Sequence, residues 1–275
     1  MKKFELSNMA ASVLFACGLN EQKLPKFVHI SEESNCDGSF LFSCILGQRL
    51  RISNAGTVLV CLQHNYQHYF HAGMRLGYNV NIFLDKTLNV VDPLTDMAKK
   101  GMASKWLQDE RLVTTLLLDG IRNHISTSAA QRISTTILVD NLAILLNLGA
   151  TKEEIIQLCH KLAELPKQYK NLAVITKLSN CDLYAPIDNN VAKLGTLRIR
   201  ASQLKSGVSR DVDGKLLIER ELAANDAKEE DEEQEEQEAQ QNGIYELEQI
   251  RKEVLYKVND RNIKIINPGE LGVKV

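Results

Sequence analysis

The sequence predicts a doubly wound α/β protein, with a mostly parallel sheet, helices on both faces and antiparallel hairpins at the C-terminal edge. Three observations predict it. Continuous apolar runs rich in β-branched residues, such as 57–62 and 135–140, suit parallel strands covered on both faces. Longer segments with apolar residues at helical spacing alternate with those runs. From Leu197 onward the alternation stops, and short strands flank a turn signal instead.

The elements follow in chain order. Residues 1–20 read as a helix. Two lysines and the apolar run 9–17 resemble a leader, but Glu5 interrupts the charged part. Residues 26–30 form a short strand, 31–37 a loop and 38–50 a helix. That helix is apolar almost all round and so belongs on a sheet. The strand 57–62 leads to a helix over 67–76, which Gly77 ends. A third strand is expected over 79–84 and a helix over 110–125, with Leu112, Val113, Leu116, Leu117 and Ile121 on one face. The strand 135–140 precedes a helix over 142–148 closed by Gly149. Thr151 and Glu154 then form a capping box, opening a helix that stops before Pro166. A buried strand covers 172–176. The candidates 197–201 and 215–220 flank Asp213-Gly214, a strong hairpin signal because both residues tolerate positive φ. Strands 254–258 and 263–266 pair across 259–262. These elements divide the chain into an N-terminal helical segment 1–24, a core 25–222, an acidic insert 223–243 and a hairpin 244–275 that completes the sheet.

With 275 residues, 44% hydrophobic and 25% charged, the composition is that of a globular protein with one large α/β domain or two small ones. Aromatics at 5% leave few platforms for stacking single-stranded bases, which speaks against a free-standing RNA-binding module. The run 229–240 carries eight acids and no base, and composition of this kind stays unfolded. Removing those eight charges from the net of −2 leaves a body of +6, mildly basic, with weak affinity for RNA as one consequence. Cys17, Cys36, Cys44, Cys61, Cys159 and Cys181 form no C-x-x-C pair, and several lie in apolar segments. The expectation is reduced, buried thiols in an intracellular protein, without a zinc ribbon or disulfide framework. No apolar stretch reaches the roughly 18 residues of a membrane span. The expected location is the cytoplasm, with the nucleus as a further compartment.

In a sheet of this type the first strand-to-helix turn is where a nucleotide binds. A working phosphate loop reads G-x-x-x-x-G-K-[ST]: glycines let backbone amides wrap the phosphates, the lysine meets the outer phosphates and the hydroxyl holds magnesium. The equivalent positions here are Glu32, Asp37, Gly38 and Ser39, so only the hydroxyl survives. Losing a buried lysine–phosphate pair costs roughly 2–5 kcal/mol. A carboxylate about 4 Å from a phosphate adds about 4 kcal/mol of repulsion at an effective dielectric near 20. Half that sum weakens binding more than about a hundredfold. No bound cofactor is expected. Asp140 ends its strand where a magnesium-linked aspartate sits in an ATPase, and without the loop lysine it is expected to cap the following helix. Asp37 is expected to N-cap the helix beginning at Gly38. His64, His68 and His71 have the spacing of one helical face, but no H-E-x-x-H or cysteine partner accompanies them, so no metal is expected.

Three ordered segments resemble the family of the sixth Elongator subunit. The first is Cys36-Asp37-Gly38-Ser39-Phe40-Leu41, continuing to Val60-Cys61-Leu62-Gln63 and His68-Tyr69. The second runs Ile137-Leu138-Val139-Asp140-Asn141-Leu142 and on to Gly149. The third is Leu197-Arg198 leading into Arg210-Asp211-Val212-Asp213-Gly214-Lys215-Leu216. Together they span about 25–265; the acidic insert departs from the shorter family pattern. The resemblance implies a RecA-like fold without ATPase motifs and no catalysis in this chain. It implies a heterohexameric ring with the fourth and fifth Elongator subunits, two copies of each. That ring binds tRNA and supports wobble-uridine modification carried out by a separate catalytic core. Lys177 and Lys193, with Arg198 and Arg200 nearby, are the expected phosphate contacts to tRNA, placed after the 172–176 strand. The competing reading is a divergent phosphate-loop ATPase of the RecA superfamily acting on nucleic acid, with Gly38 in place of lysine as the discriminating feature.

Overall fold

The computed structural model describes residues 8–20, 23–109, 111–128, 132–204, 207, 209–221, 249–260 and 262–267. Along the chain these form α1 (Asn8–Ala16), β1 (Phe27–Glu33), α2 (Ser39–Arg51), β2 (Ala55–Val60), α3 (Tyr66–Arg75), β3 (Leu88–Val91), α4 (Pro93–Lys100), α5 (Lys105–Gln108), α6 (Val113–Ser128) and β4 (Ser134–Val139). Then follow α7 (Ile144–Asn147), α8 (Lys152–Gln168), β5 (Leu172–Asn180), α9 (Ala185–Val191), β6 (Leu197–Ser202), β7 (Gly214–Glu221), β8 (Gln249–Val258) and β9 (Ile263–Ile266). The acidic insert 223–243 lies outside the described residues.

The strands form one sheet in the order β3-β2-β4-β5-β1-β6-β7-β8-β9. Pairing is parallel from β3 to β6 and antiparallel from β6 to β9. Alternation along the central strands sorts side chains between two cores. Val28, Ile30, Leu138 and Ile175 meet residues of α1 and α2 on one face. Phe27, Val139 and Val174 meet α6, α8 and α9 on the other. Both faces of the central strands are therefore apolar, as their runs require.

Four expected elements differ. Asp213-Gly214 is not the hairpin turn: β6 ends at Ser202, Gly214 already begins β7, and neither Asp213 nor Gly214 has positive φ. Residues 79–84 are not a strand: Val80–Ile82 is a 3₁₀ turn, started by the Asn79 side chain accepting from the Asn81 amide. The strand on the outer side of β2 is β3, where Leu88 lies beside Thr57 and Val91 beside Val60. The helix expected over 142–148 is the single turn α7, stopped by Gly149 at φ +90. Helix α8 does not stop before Pro166 but carries it in its last turn and ends at Gln168. There the missing amide costs one intrahelical bond near an end that frays anyway. The capping box forms as expected: Glu154 N–H donates to Thr151 Oγ1 at 3.2 Å and Thr151 N–H to Glu154 Oε2 at 2.9 Å.

Four of the cysteines, Cys17, Cys44, Cys61 and Cys159, are buried free thiols. Burial pushes Cys17 and Cys44 up to about 12, which keeps them protonated and unreactive at neutral pH.

Candidate functional site

The parallel register gathers three ionisable residues at one end of the sheet. Ile30 lies beside Lys177 across β1 and β5, and Val139 beside Thr176 across β4 and β5. Glu32, Asp140 and Lys177 therefore meet at the carboxyl ends of their strands, against the start of α2. This is the crevice where an open α/β sheet binds its ligand.

Here the crevice is filled from within. The Gly38 amide donates to Glu32 Oε2 at 2.7 Å, and the Ser39 amide to Asp37 Oδ1 at 2.8 Å. Carboxylates thus take the backbone donors that would cradle phosphate in a working loop. The Lys177 ammonium donates to Ser39 Oγ at 3.0 Å and Gln63 Oε1 at 3.0 Å, and contacts both Glu32 oxygens at 3.3 and 3.4 Å. Asp140 Oδ1 is 3.5 Å away. The Lys177 and Asp140 side chains are 0% exposed and that of Glu32 5%. Ser179 donates its hydroxyl to Glu32 Oε1 as well.

The chemistry follows from this occupancy. A lysine from β5 sits beside the surviving hydroxyl, and its charge is spent on two buried carboxylates. A nucleotide phosphate entering here would meet Glu32, Asp37 and Asp140 and would have to displace Lys177 from them. For Asp37, burial acts to raise the pKa, but bonds from the Ser39 side chain and amide, with the charge of Lys177, outweigh it and hold the carboxyl below its ordinary value. Asp37 therefore stays an anion at the helix start and caps the Ser39 amide one position earlier than a standard N-cap.

Asp140 does not cap the turn that follows it. Its Oδ2 accepts the His64 amide at 3.0 Å, while Asn141 Oδ1 accepts the Ala143 amide at 3.2 Å. Asn141, at φ +48, also donates to Gln63 and Ser179 at 2.9 and 2.8 Å, tying β2, β4 and β5 together above Lys177. The three histidines do not converge. His64 precedes α3 and stacks on His68 at 3.9 Å between ring centroids, with its Nε2 3.1 Å from Ser39 Oγ. Burial, then the neighbouring His64, lowers the His68 pKa. His71 is exposed and sits against Phe70.

The residues expected to contact tRNA separate. Lys177 lies within β5 and is fully buried, so it presents no ammonium to solvent; the expected surface loop begins only after Asn180. Lys193 is exposed on the 3₁₀ turn Ala192–Leu194, just before β6. Because β6 runs parallel to β1, with Leu197 beside Val28 and Ala201 beside Glu32, Lys193 lies toward the opposite end of the sheet from Lys177. Arg200 is exposed, whereas Arg198 is half-buried and paired to Glu221 at 2.8 Å.

A second buried polar group was not legible in the sequence. His29 Nε2–H donates to Asp188 Oδ1 at 3.0 Å, Thr176 Oγ1 lies 2.8 Å from His29 Nδ1, and Asn180 donates to Asp188 Oδ2 at 3.0 Å. Its members are a hydroxyl, an imidazole and a carboxylate, but His29, Thr176 and Asp188 are each no more than 2% exposed. No substrate reaches them, so they fasten α9 to the sheet.

Comparison with known proteins places this geometry. The family model for Elongation complex protein 6 matches residues 12–244. A Drosophila melanogaster protein named Elongator complex protein 6 is 61% identical over 269 residues, covering 97% of this chain and 100% of that one. The Xenopus laevis protein of the same name is 26% identical over 205 residues, covering 68% and 77%. Among solved structures, a KaiC-like protein of Pyrococcus horikoshii OT3 superposes with a TM-score of 0.56 at 8% identity, over 88% of this chain and 89% of that one. An uncharacterised P. horikoshii protein, solved with an unknown peptide, gives 0.57 at 14% identity, over 94% and 98%. The fold is RecA-like, with an antiparallel extension at the C-terminal edge.

Proposed function

The chain belongs to the Elongation complex protein 6 family, and from that premise we propose that it is a non-catalytic structural subunit of Elongator. In this reading it joins the fourth and fifth subunits in a heterohexameric RecA-like ring. The ring holds tRNA while the catalytic core, a separate chain, modifies the wobble uridine. One observation carries the non-catalytic part: the nucleotide crevice of the fold is occupied by the chain's own Lys177, Glu32 and Asp140. An ATPase working through this crevice would need Glu32 to release the Gly38 amide and Lys177 to leave two carboxylates, each an unfavourable step in a buried setting.

For tRNA, the exposed cations Lys193 and Arg200 replace Lys177 as the candidate phosphate contacts, with Arg198 already neutralised by Glu221. Changing Lys193→Ala and Arg200→Ala together in the assembled ring is expected to weaken tRNA binding. It should also lower the slope of log affinity against log salt by about 1–2, since each phosphate contact releases a counterion. Unchanged affinity and slope would remove both residues from the tRNA surface.

A further inference from the structure

Strand β3 forms one edge of the sheet. Thr57 N–H donates to Thr87 C=O at 2.7 Å and Cys61 N–H to Val91 C=O at 2.8 Å, so residues 87, 89 and 91 turn their peptide groups toward β2. The N–H and C=O of Val90 therefore point outward together, and among the described residues no strand lies beyond β3 to take them up. Beside this edge is a cavity of about 320 Å³, with Val90, Val91, Lys99, Lys105, Trp106 and Gly120 in its lining. The Val90 side chain packs with the core under α1 and α2, whereas Val91 and Trp106 pack with the core under α6. Val90 thus meets the cavity with its backbone. Trp106, the only tryptophan of the chain, is half-buried, and the Lys105 ammonium lies 5.0 Å from its ring centroid. Lys99 and Lys105 are exposed and make no ion pair among the described residues. The carboxylates at the rim are already engaged: Asp92 accepts the Thr95 and Tyr66 amides, both at 2.9 Å, and Asp96 meets Lys100 and the Ser104 hydroxyl, both at 2.6 Å.

Gly120 is the independent sign of a ligand. It sits in the middle of α6, where glycine weakens a helix relative to alanine. Its neighbours do not demand it, because a Cβ there would meet Val91 at 3.7 and 3.9 Å, an ordinary contact. What the missing methyl leaves is room and bare backbone beside the cavity, as glycine does where a ligand approaches closely. An indole ring stacks on the face of any base. Adenine carries a donor, N6–H, next to an acceptor, N7, which matches an outward C=O and N–H on one strand residue. Ammonium groups meet phosphate through charge-assisted bonds. We propose that the cavity at the β3 edge binds a nucleotide, free or as one residue of an RNA. The base stacks on Trp106 and bonds to the Val90 backbone, and Lys105 moves from the ring to join Lys99 at the phosphate. This site is separate from the filled crevice and from the Lys193 and Arg200 surface, and it stands or falls without them.

Tryptophan fluorescence of the full chain reads this site directly, because Trp106 is its only source. Titration with adenosine monophosphate should quench it saturably, while ribose 5-phosphate, which lacks a base, should not. Gly120→Ala should raise the melting temperature of the free chain yet weaken the nucleotide about tenfold, a combination that loss of folding cannot produce. Lys99→Ala with Lys105→Ala should remove the advantage of the monophosphate over adenosine. Quenching by a short oligoadenylate at a lower concentration than the monophosphate needs would assign the base to RNA, and the reverse order to a free nucleotide. Absence of saturable quenching, equal quenching by ribose 5-phosphate, or unchanged affinity in Gly120→Ala would overturn the proposal.

Discussion

Replacing Lys177 with alanine is expected to cost about 3–5 kcal/mol of folding stability, the range for removing one partner of a buried ion pair. The reason is what remains. Glu32 and Asp140 would face each other through a cavity with no cation between them, and Ser39 and Gln63 would each lose a donor. A domain has only about 5–15 kcal/mol to lose, so the variant sits near the threshold of folding. A chemical-denaturation midpoint measures the effect. The control is Lys177→Met combined with Glu32→Gln, which removes a positive and a negative charge together. It should recover part of the loss, because the buried site then holds one carboxylate fewer. If Lys177→Ala alone shifts the midpoint no more than an exposed lysine does, the cluster does not hold this end of the sheet.

Asp188→Ala is the second large effect, at about 3 kcal/mol. The substitution removes the acceptors for His29 and Asn180, and hydrogen bonds to a charged group contribute about 1.5–3 kcal/mol each. It also leaves the His29 ring with an unmet donor inside the α9 interface. The loss should localise: amide exchange of α9 should accelerate well before that of β4, because the helix is fastened to β1 and β5 through this group. Asp188→Asn keeps an acceptor for His29 and should cost clearly less. Equal losses for Ala and Asn would show that the bond to His29 contributes nothing and that side-chain volume alone matters.

The parts of this molecule visible in the sequence were those encoded locally. The run 135–140 and the capping box at Thr151 and Glu154 each carry their own signal within a few residues, and both are present. The Asp213-Gly214 signal misled: β6 and β7 do pair antiparallel, but β6 ends at Ser202 and Gly214 already opens β7, where it pairs with Tyr256. The degenerate loop was legible because a phosphate loop has fixed spacing, so Asp37 and Gly38 could be judged against it. Lys177 was misplaced because its strand reads as apolar only to Thr176. A lysine at the next position looks like the start of a loop, and only the pairing of β1 with β5 through Asn180 shows that it continues inward. The same register puts its ammonium over Glu32, 145 residues earlier in the chain. His29 and Asp188 are 159 residues apart and share no motif, so nothing local could join them. The edge strand β3 escaped because its partly exposed Leu88–Val91 pattern is weaker than the apolar stretch over 79–84. In the folded chain, that earlier stretch packs Val80 as a 3₁₀ turn beside α3.

The filled crevice and the family membership together make assembly, not catalysis, the central claim. Its most direct test is purification of this chain from cells under native conditions, followed by mass spectrometry of the intact assembly. The expected result is a ring of three different RecA-like chains, two copies of each, with this chain as one of the three. A monomer, or an oligomer of this chain alone without other Elongator subunits, would contradict the account.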